Sequence, residues 1–581
     1  APSLIFPGKN QQRLLAKRNA LLHKLYTAEI IDKETYDLAL TEPLPTEPHP
    51  IPQLAPHLLA YASKTLEGQR ITTSLPIDLQ QKVSQIVAGY YSHYSQSEIY
   101  NMAALVVEVK TRKVLAYVGN TPTDENHQKD VDIIHAPRST GSVLKPFLYA
   151  AMLHEGELLP TTLIPDVPTQ IAGYSPQNFS NSFEGAVPAD MALAKSLNVP
   201  FVWLLRQFTT YRFYEVLQKL RLKNISRHPD HYGLSIILGG AESNLWDLAQ
   251  AYTNLASEVN VFAATQQYRT AEFQSLIYTA GNSPDFGKAT TALPTIRAGA
   301  LYSMFSAMKE VNRPTDDVAW RYYESARKIA WKTGTSFGNK DAWAIGATPE
   351  YVVAVWVGNA TGEGRPTLTG VSYAAPVMFS IFNALPRTTW FQQPLDDMRE
   401  VTICEQSGYL AKPECPQKLL RTTLAPKEIG QCPYHKLVHL TPDGQYQVNA
   451  SCQPVDQIYT KAWFVLPPVM EWYYKQQHVH YQSLPPFRPD CTEGVAQKAL
   501  DFVYPKHLSV IYTTKSFGGE QQPFVAKAAN RSGKLFWYID DAYLGTTDTF
   551  HEMNIFAAKG EHLLKIINEK GDEKTIKVIC Q

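Results

Sequence analysis

Apolar positions recur along this 581-residue chain with two different periods, and the change from one to the other marks its organisation. The first 65 residues carry a basic helix-like stretch from Gln11 to Leu22 and a second helix near Asp32–Thr35, followed by a proline-rich run from Pro43 to Pro56 that predicts a linker. Ile71–Leu75 has the look of a short strand, and Leu79–Tyr91 repeats its apolar residues at helical spacing. Ala103–Val109 and Lys113–Val118 are near-continuous apolar runs joined by Lys110-Thr111-Arg112, which predicts a largely buried hairpin. From Ser142 to about Leu255 the helical period dominates, broken by the turn at Gly239-Gly240. Strand signals return at Lys328–Thr335, Ala342–Gly346 and Tyr351–Val357, separated by turn residues, and predict a three-stranded antiparallel meander. Strands from both ends of one unit with helices inserted between them make an α+β domain. The last hundred residues differ again: Leu508–Tyr512, Leu535–Ile539 and Leu563–Ile567 are short apolar segments spaced by polar turns, the signature of a small all-β, immunoglobulin-like sandwich. The resulting division is 1–65, 66–390, 391–485 and 486–581.

Composition narrows the function classes. Lys plus Arg and Asp plus Glu each number 54, so formal net charge is zero and no global field favours nucleic acid or a membrane surface. No segment approaches the roughly 18 uninterrupted apolar residues of a membrane span. The chain opens on Ala1, from which we expect a preceding piece to have been removed. All six cysteines fall after residue 400: Cys404, Cys415, Cys432, Cys452, Cys491 and Cys580. An even number confined to one end predicts disulfides formed in an oxidising compartment.

Chemistry enters at Ser142. Ser142 and Lys145 are one helical turn apart, and Pro146 requires any helix there to begin close to the serine. An ammonium near the positive end of a helix, or buried, is disfavoured; both effects push Lys145 towards the neutral amine that a general base must be. Ser-x-x-Lys alone is weak evidence, because Ser325-Ala326-Arg327-Lys328 matches it too. Ser142-x-x-Lys145 is followed in order by Ser196-Leu197-Asn198 and Lys332-Thr333-Gly334, and the three together form the set used by penicillin-recognising acyl-serine enzymes. In that chemistry Ser142 attacks a peptide carbonyl, Lys145 takes its proton, and Ser196 relays a proton to the leaving amine. Asn198 orients Lys145 or binds the substrate backbone. Lys332 supplies positive charge, Thr333, Thr335 and Ser336 line the place of a substrate carboxylate, and Gly334 admits a ligand backbone to the strand edge. The backbone N–H groups of Ser142 and Thr335 form the expected oxyanion hole. Strict strand alternation would put Lys332 and Thr335 on opposite faces, so a twist or bend is expected there.

Gly141–Phe147, Lys195–Pro200, Leu238–Ala241 and Trp331–Gly346 resemble the transpeptidase domain of the penicillin-binding protein 1C family, of the class A type, and Phe536–Asp540 with Gly560-Glu561-His562 is similar to that family's small C-terminal β domain. The resemblance implies a penicillin-binding, serine β-lactamase-like fold, an antiparallel sheet flanked by helices. It implies a D,D-transpeptidase of the bacterial periplasm, with acyl-D-Ala-D-Ala stem peptides as donor, an amine of a neighbouring stem as acceptor, β-lactams as covalent inhibitors, and no cofactor. Family members also carry a membrane anchor and a glycosyltransferase with a Glu-Asp-x-x-Phe-x-x-His-like motif; neither is found in this sequence, so no glycan polymerisation is expected of it. A D,D-carboxypeptidase or β-lactamase shares all three motifs. A weakly active scaffold that recruits cell-wall partners through the C-terminal sandwich is the alternative of a different class.

The remaining features carry structural expectations. Cys404, Cys415, Cys432 and His435 contain a zinc-ligand-like pair, Cys432-Pro433-Tyr434-His435. The spacing is irregular and Cys452 completes an even count, so disulfides rather than a metal are expected, with Cys491 and Cys580 clasping the ends of the sandwich. Trp463, Trp472, Tyr473 and Tyr474 are expected to be packing residues between domains, and His135 and His154 structural histidines, since a lysine-based motif leaves no role for a histidine base.

Overall fold

A computed structural model of the chain describes residues 5–47, 53–169, 176–311, 327–425, 429–491, 500–512, 523–529, 533–548, 551–569 and 572–581. Ser325 and Ala326, half of the second Ser-x-x-Lys match, lie outside these residues, as does part of the proline-rich run. The chain forms two compact units, residues 1–56 and 57–581.

In the first unit, helices Gln11–Thr27 and Lys33–Thr41 form a hairpin. Asp32 caps the second helix by accepting a hydrogen bond from the Thr35 N–H at 2.7 Å. Tyr26 stacks on Tyr36 with ring centroids 4.9 Å apart. Arg18, from the basic stretch, donates to the Leu40 and Glu42 carbonyls at the end of the second helix, where its charge meets the negative end of the dipole.

The second unit is built on a five-stranded antiparallel sheet in the order Val114–Val118, Asn101–Glu108, Tyr351–Gly358, Asp341–Ala347, Ala330–Thr335. The hairpin and the meander of the sequence reading thus join into one sheet, with Asn101–Glu108 pairing directly with Tyr351–Gly358. Its inner strands are near-continuous apolar runs because both faces are covered. Helices Ile77–Tyr94 and Ala375–Ala384 pack on one face with Val83, Val87, Val355, Val357, Met378 and Phe382 in the core. Helices Leu245–Thr265 and Ala298–Lys309 cover the other, Lys145–Glu155 packs on Ala298–Lys309, and the Tyr252 hydroxyl donates to the Val143 carbonyl at 3.1 Å. Trp331, Trp343 and Trp356 are fully buried in this sheet. From His57 onward, helix Pro56–Ser63 belongs to the same unit: Tyr61 stacks on His135 at 4.0 Å and lies against Trp246. His135 is therefore a packing residue, and His154 accepts a hydrogen bond from the Arg297 N–H through Nδ1.

Residues 391–485 contain regular structure that their sequence conceals. Met398–Cys404 pairs with Gln417–Thr423, His435–Leu440 pairs with Tyr459–Phe464, and helix Pro468–Gln477 follows. The hairpins are short and largely solvated on one side, so their apolar residues are too few to set a period. The first is anchored by Asp397, which receives the Arg297 guanidinium at 2.7 Å and the Gly299 N–H at 2.9 Å. Tyr473 packs at a tilt against Phe183, ring centroids 5.6 Å apart, and Tyr474 stacks on His478, whereas Trp472 remains 41 % exposed.

The C-terminal residues form two facing sheets, ordered Asp501–Tyr504, Phe524–Ala529, Glu552–Ile555 and Ser509–Ile511, Glu573–Cys580, Gly560–Asn568, Leu535–Ile539, Ala542–Thr547. Trp537 and Phe502 are at the centre of their core. The expected Cys491–Cys580 clasp is not formed. Cys491 is bonded to Cys452, and Cys580 is a free thiol. Ile576, Val578 and Cys580 are successive inward positions of the last strand, so Cys580 points into the sandwich. Arg488 binds the Cys452 carbonyl and the Gln453 side chain, which holds Cys491 beside Cys452 instead. Cys404, Cys415 and Cys432, the other disulfide candidates, are free and buried together with His435. Among the described residues no helix is long and apolar enough to cross a membrane.

Candidate active site

Ser142 occupies a turn immediately before the helix Lys145–Glu155, with Pro146 in the first turn of that helix, where its missing N–H has no cost. Two strips of chain hold this turn. The Thr140 N–H donates to the Ala241 carbonyl and the Ser139 hydroxyl to that of Gly239, so the Gly239-Gly240 turn that interrupts the helical region is the support of the serine loop. On the other side the Trp343 indole N–H donates to the Ser139 carbonyl at 2.7 Å. Gly141 has φ +52°, and a Cβ there would lie 2.7 Å from both N and O of Thr335. Only glycine lets the loop reach the sheet edge.

The three motifs converge through two lysines. Lys145 is completely buried, and its Nζ donates to the Asn198 Oδ1 at 2.7 Å and to the Ser196 and Leu197 carbonyls at 2.8 and 3.0 Å. Lys332 is equally buried, and its Nζ donates to the Ser196 Oγ at 2.7 Å and to the Thr333 carbonyl at 2.8 Å. Burial drives the Lys145 amine well below its ordinary range, reinforced by the charge of Lys332. Burial lowers Lys332 to about 7. Of the two roles left open for Asn198, the side chain serves the first: its oxygen holds Lys145 and its amide nitrogen donates to the Gln177 carbonyl at 2.8 Å. Ser196, placed between the lysines, has φ +56°, a left-handed conformation that a non-glycine residue adopts at a cost of about 1 kcal/mol or more.

Lys332–Thr335 lies in the edge strand Ala330–Thr335 and needs no bend. Alternation is kept. Lys332 points to Ser196, whereas the Thr335 hydroxyl is turned to the other side, where it accepts the Gly370 N–H at 3.0 Å. What Thr335 brings towards Ser142 is its backbone. Ser336 N–H bonds to the Asp341 carbonyl, so the next pair, Thr335 with Ala342, is a non-hydrogen-bonded one whose backbone groups point out to the open edge. Gly334 faces the Thr140 carbonyl and Val143. Thr333 is 9 % exposed with its Cβ near Gly370. The Ser336 hydroxyl accepts the Lys340 and Asp341 N–H groups and closes the turn after the strand.

Two residues beyond the motifs complete the site. The Asn178 Oδ1 accepts the N–H groups of Asn198 and Val199, at 2.9 and 3.2 Å, and its amide donates to Asp166 at 2.8 Å. Asp166 is fully buried and also receives the Glu184 N–H. Neither stands in a periodic segment, and sequence reading passed over both. A separate cluster, Cys404, Cys415, Cys432 and His435, gathers four buried donor atoms within the hairpin region of residues 391–485.

Known proteins resemble this chain in both its central and its C-terminal regions. Residues 102–383 match the penicillin-binding protein transpeptidase domain, and residues 489–578 match the penicillin-binding protein C-terminus family. The chain is 27 % identical over 603 residues to penicillin-binding protein 1C of Escherichia coli K12, a match that takes in all of this chain and 74 % of that protein. It is 25 % identical over 399 residues to penicillin-binding protein 1B of Vibrio cholerae, covering 65 % of this chain and 49 % of that one, so it spans about half the length of that relative. The fold is shared with the crystal structure of penicillin-binding protein 1A from Haemophilus influenzae, at a TM-score of 0.55 and 16 % identity over 74 % of this chain and 84 % of that one.

Proposed function

The chain belongs to the penicillin-binding proteins and carries their transpeptidase domain, and from that premise we propose that it cross-links peptidoglycan stem peptides through an ester on Ser142. The observation that carries the assignment is the convergence of two buried lysines on the Ser196–Asn198 segment, Lys145 through Asn198 and Lys332 through Ser196.

The steps follow from those contacts. Lys145, neutral because it is buried and faces Lys332, takes the Ser142 proton as Oγ attacks the carbonyl of the penultimate D-alanine. The developing oxyanion is received by the backbone N–H groups of Ser142 and Thr335; the outward edge position of the Thr335 N–H supports that role. Ser196 passes a proton to the departing terminal D-alanine, whose carboxylate is met by the Lys332 charge on the strand edge. An amine of a second stem then attacks the ester, forms the new peptide bond and releases Ser142. β-Lactams acylate the same hydroxyl.

Relatives of this family work on the outer side of the cytoplasmic membrane. We place this chain in the periplasm, and the Cys452–Cys491 disulfide, which needs an oxidising compartment, supports the placement. The assignment is tested by incubating the protein with a fluorescent penicillin and mapping the labelled peptide. Label on the Ser142 peptide that vanishes in Ser142→Ala is expected; label persisting in the variant overturns it. With a pentapeptide and an amine acceptor, cross-linked product supports transfer, and free D-alanine with trimmed peptide alone would assign the chain to the carboxypeptidases.

A further inference from the structure

Cys404, Cys415, Cys432 and His435 come from three separate stretches of the chain, yet their donor atoms all lie within 4.8 Å of one another. The Sγ atoms of Cys404 and Cys432 are each 3.4 Å from His435 Nδ1. All four side chains are buried, with exposures of 0, 7, 0 and 4 %, and the three thiols are free although Cys452 and Cys491 are paired. A single disulfide among three thiols would strand the third beside a buried imidazole. A tetrahedral zinc ion, with bonds of about 2.3 Å to sulfur and 2.0 Å to nitrogen, places its donors about 3.5–3.8 Å apart and satisfies all four at once. Three thiolates and an imidazole select zinc over magnesium or calcium, which take oxygen ligands.

The surroundings of the cluster are those of a metal site. The Ser407 hydroxyl donates to the Cys432 sulfur at 3.1 Å and the Lys412 N–H to the Cys415 sulfur at 3.4 Å, each an outer hydrogen bond that would hold a thiolate in place. The irregular spacing that argued against zinc in the sequence is a product of strand pairing: Cys404 pairs with Gln417, which brings Cys415, two residues before it, alongside. Cys432 and His435 are the i and i+3 positions of the turn entering the second hairpin.

We propose that these four residues hold a structural zinc ion that ties the two hairpins together and braces one wall of the acyl-transfer site. The bracing runs through the loop between the first two ligands. The Ser407 carbonyl accepts the Leu163 N–H at 2.9 Å, and Gly408, with φ +69°, leaves no room for a Cβ against the Thr161 carbonyl. Leu163 opens the strand Leu163–Asp166; Asp166 holds Asn178, Asn178 holds the Asn198 backbone, and Asn198 holds Lys145. Losing the ion would free the Ser407–Gly408 loop and loosen that chain of contacts without touching Ser142.

The test begins with metal content. The full chain, purified without chelator, is expected to contain one zinc per molecule by plasma mass spectrometry. Cobalt exchanged into the site should give the thiolate charge-transfer and tetrahedral d–d bands of a sulfur-rich site. Cys432→Ser should lose the zinc, and His435→Cys, which offers a fourth thiolate, should retain it and guard against a mere folding failure; Cys580→Ser should retain it as well. No metal together with three alkylatable thiols, or a disulfide between any two of the cluster cysteines, overturns the site. The bracing arm rests on the acylation assignment and is read separately. Cys432→Ser should take up fluorescent penicillin about 10-fold more slowly or worse, with His435→Cys near wild type. Zinc lost with labelling unchanged overturns the bracing and leaves the metal site standing.

Discussion

Replacing Lys332 with methionine should stabilise the protein near neutral pH while abolishing acylation. Lys332 is fully buried, and burial lowers its amine from 10.5 to about 7. The unfolded chain therefore holds this proton up to about pH 10.5, whereas the folded chain releases it near 7. At about 1.4 kcal/mol per unit, the lysine subtracts about 4 kcal/mol from stability at pH 7, and the penalty fades as pH rises towards 10.5. Methionine has similar length and no charge. It forfeits the hydrogen bonds to Ser196 Oγ and the Thr333 carbonyl, at about 1 kcal/mol each, leaving a net gain of about 2 kcal/mol at pH 7. Because only the wild type gains stability with rising pH from this residue, the advantage of the variant should shrink to nothing near pH 9 and then reverse. Paired denaturant titrations at pH 7, 8 and 9 read this as a change in midpoint at constant slope, followed by tryptophan fluorescence, to which Trp331, Trp343 and Trp356 of the central sheet contribute. Groups that titrate identically in both proteins cancel in the difference. A variant less stable at pH 7, or a difference that stays flat from pH 7 to 9, would refute the reasoning.

Gly141→Ala must place a Cβ 2.7 Å from the Thr335 backbone at a left-handed φ, so labelling by fluorescent penicillin should fall at least about 100-fold, the loss expected when one oxyanion donor is displaced. Asn178→Ala leaves the Asn198 and Val199 N–H groups without their acceptor and should slow acylation about 10-fold, an effect of 1–2 kcal/mol seen in the acylation rate constant. Acylation should accelerate with pH as Lys145 loses its proton, over a range below the ordinary lysine one, and Lys145→Arg, which stays charged, should show no measurable labelling at any pH. Cys452→Ser opens a link across a sequence separation of 39 and should lower stability by up to about 4 kcal/mol in a denaturant titration, leaving the labelling rate unchanged.

What could be read from the sequence was what spacing encodes locally. Ser142 with Lys145, Ser196 with Asn198, and Lys332 with its strand are short-range patterns, and the structure brings all three together. The central sheet was legible because strands covered on both faces leave long apolar runs. Asp166 and Asn178 were not, since a polar residue at the end of a short strand or in a loop acquires its role only from what folds against it. The same holds for the cysteines. The Cys491 partner is fixed by Arg488 and by the inward register of Cys580, and the Cys3His cluster by a pairing of strands too solvated to show a period. Neither fact is a property of spacing.

The tension over Lys332 and Thr335 resolves in a way that explains why this segment is a strand. An extended edge strand presents three chemically distinct surfaces: alternate side chains on its two faces and, at every second residue, backbone donors in its plane. Here one face sends the Lys332 ammonium to Ser196, the plane offers the Thr335 N–H beside Gly141, and the other face fixes the strand by binding the Thr335 hydroxyl to Gly370. A helix could not do this, because its N–H groups are consumed internally. The cost is carried by the second wall. Ser196 must leave the favoured backbone region to present its hydroxyl to Lys332 while its carbonyl meets Lys145, and a strained residue persists only where its surroundings over-determine it. The Asn178–Asp166 layer behind Asn198 supplies that determination, which is why a disturbance that reaches Asp166 from the distant cysteine cluster should register at Lys145.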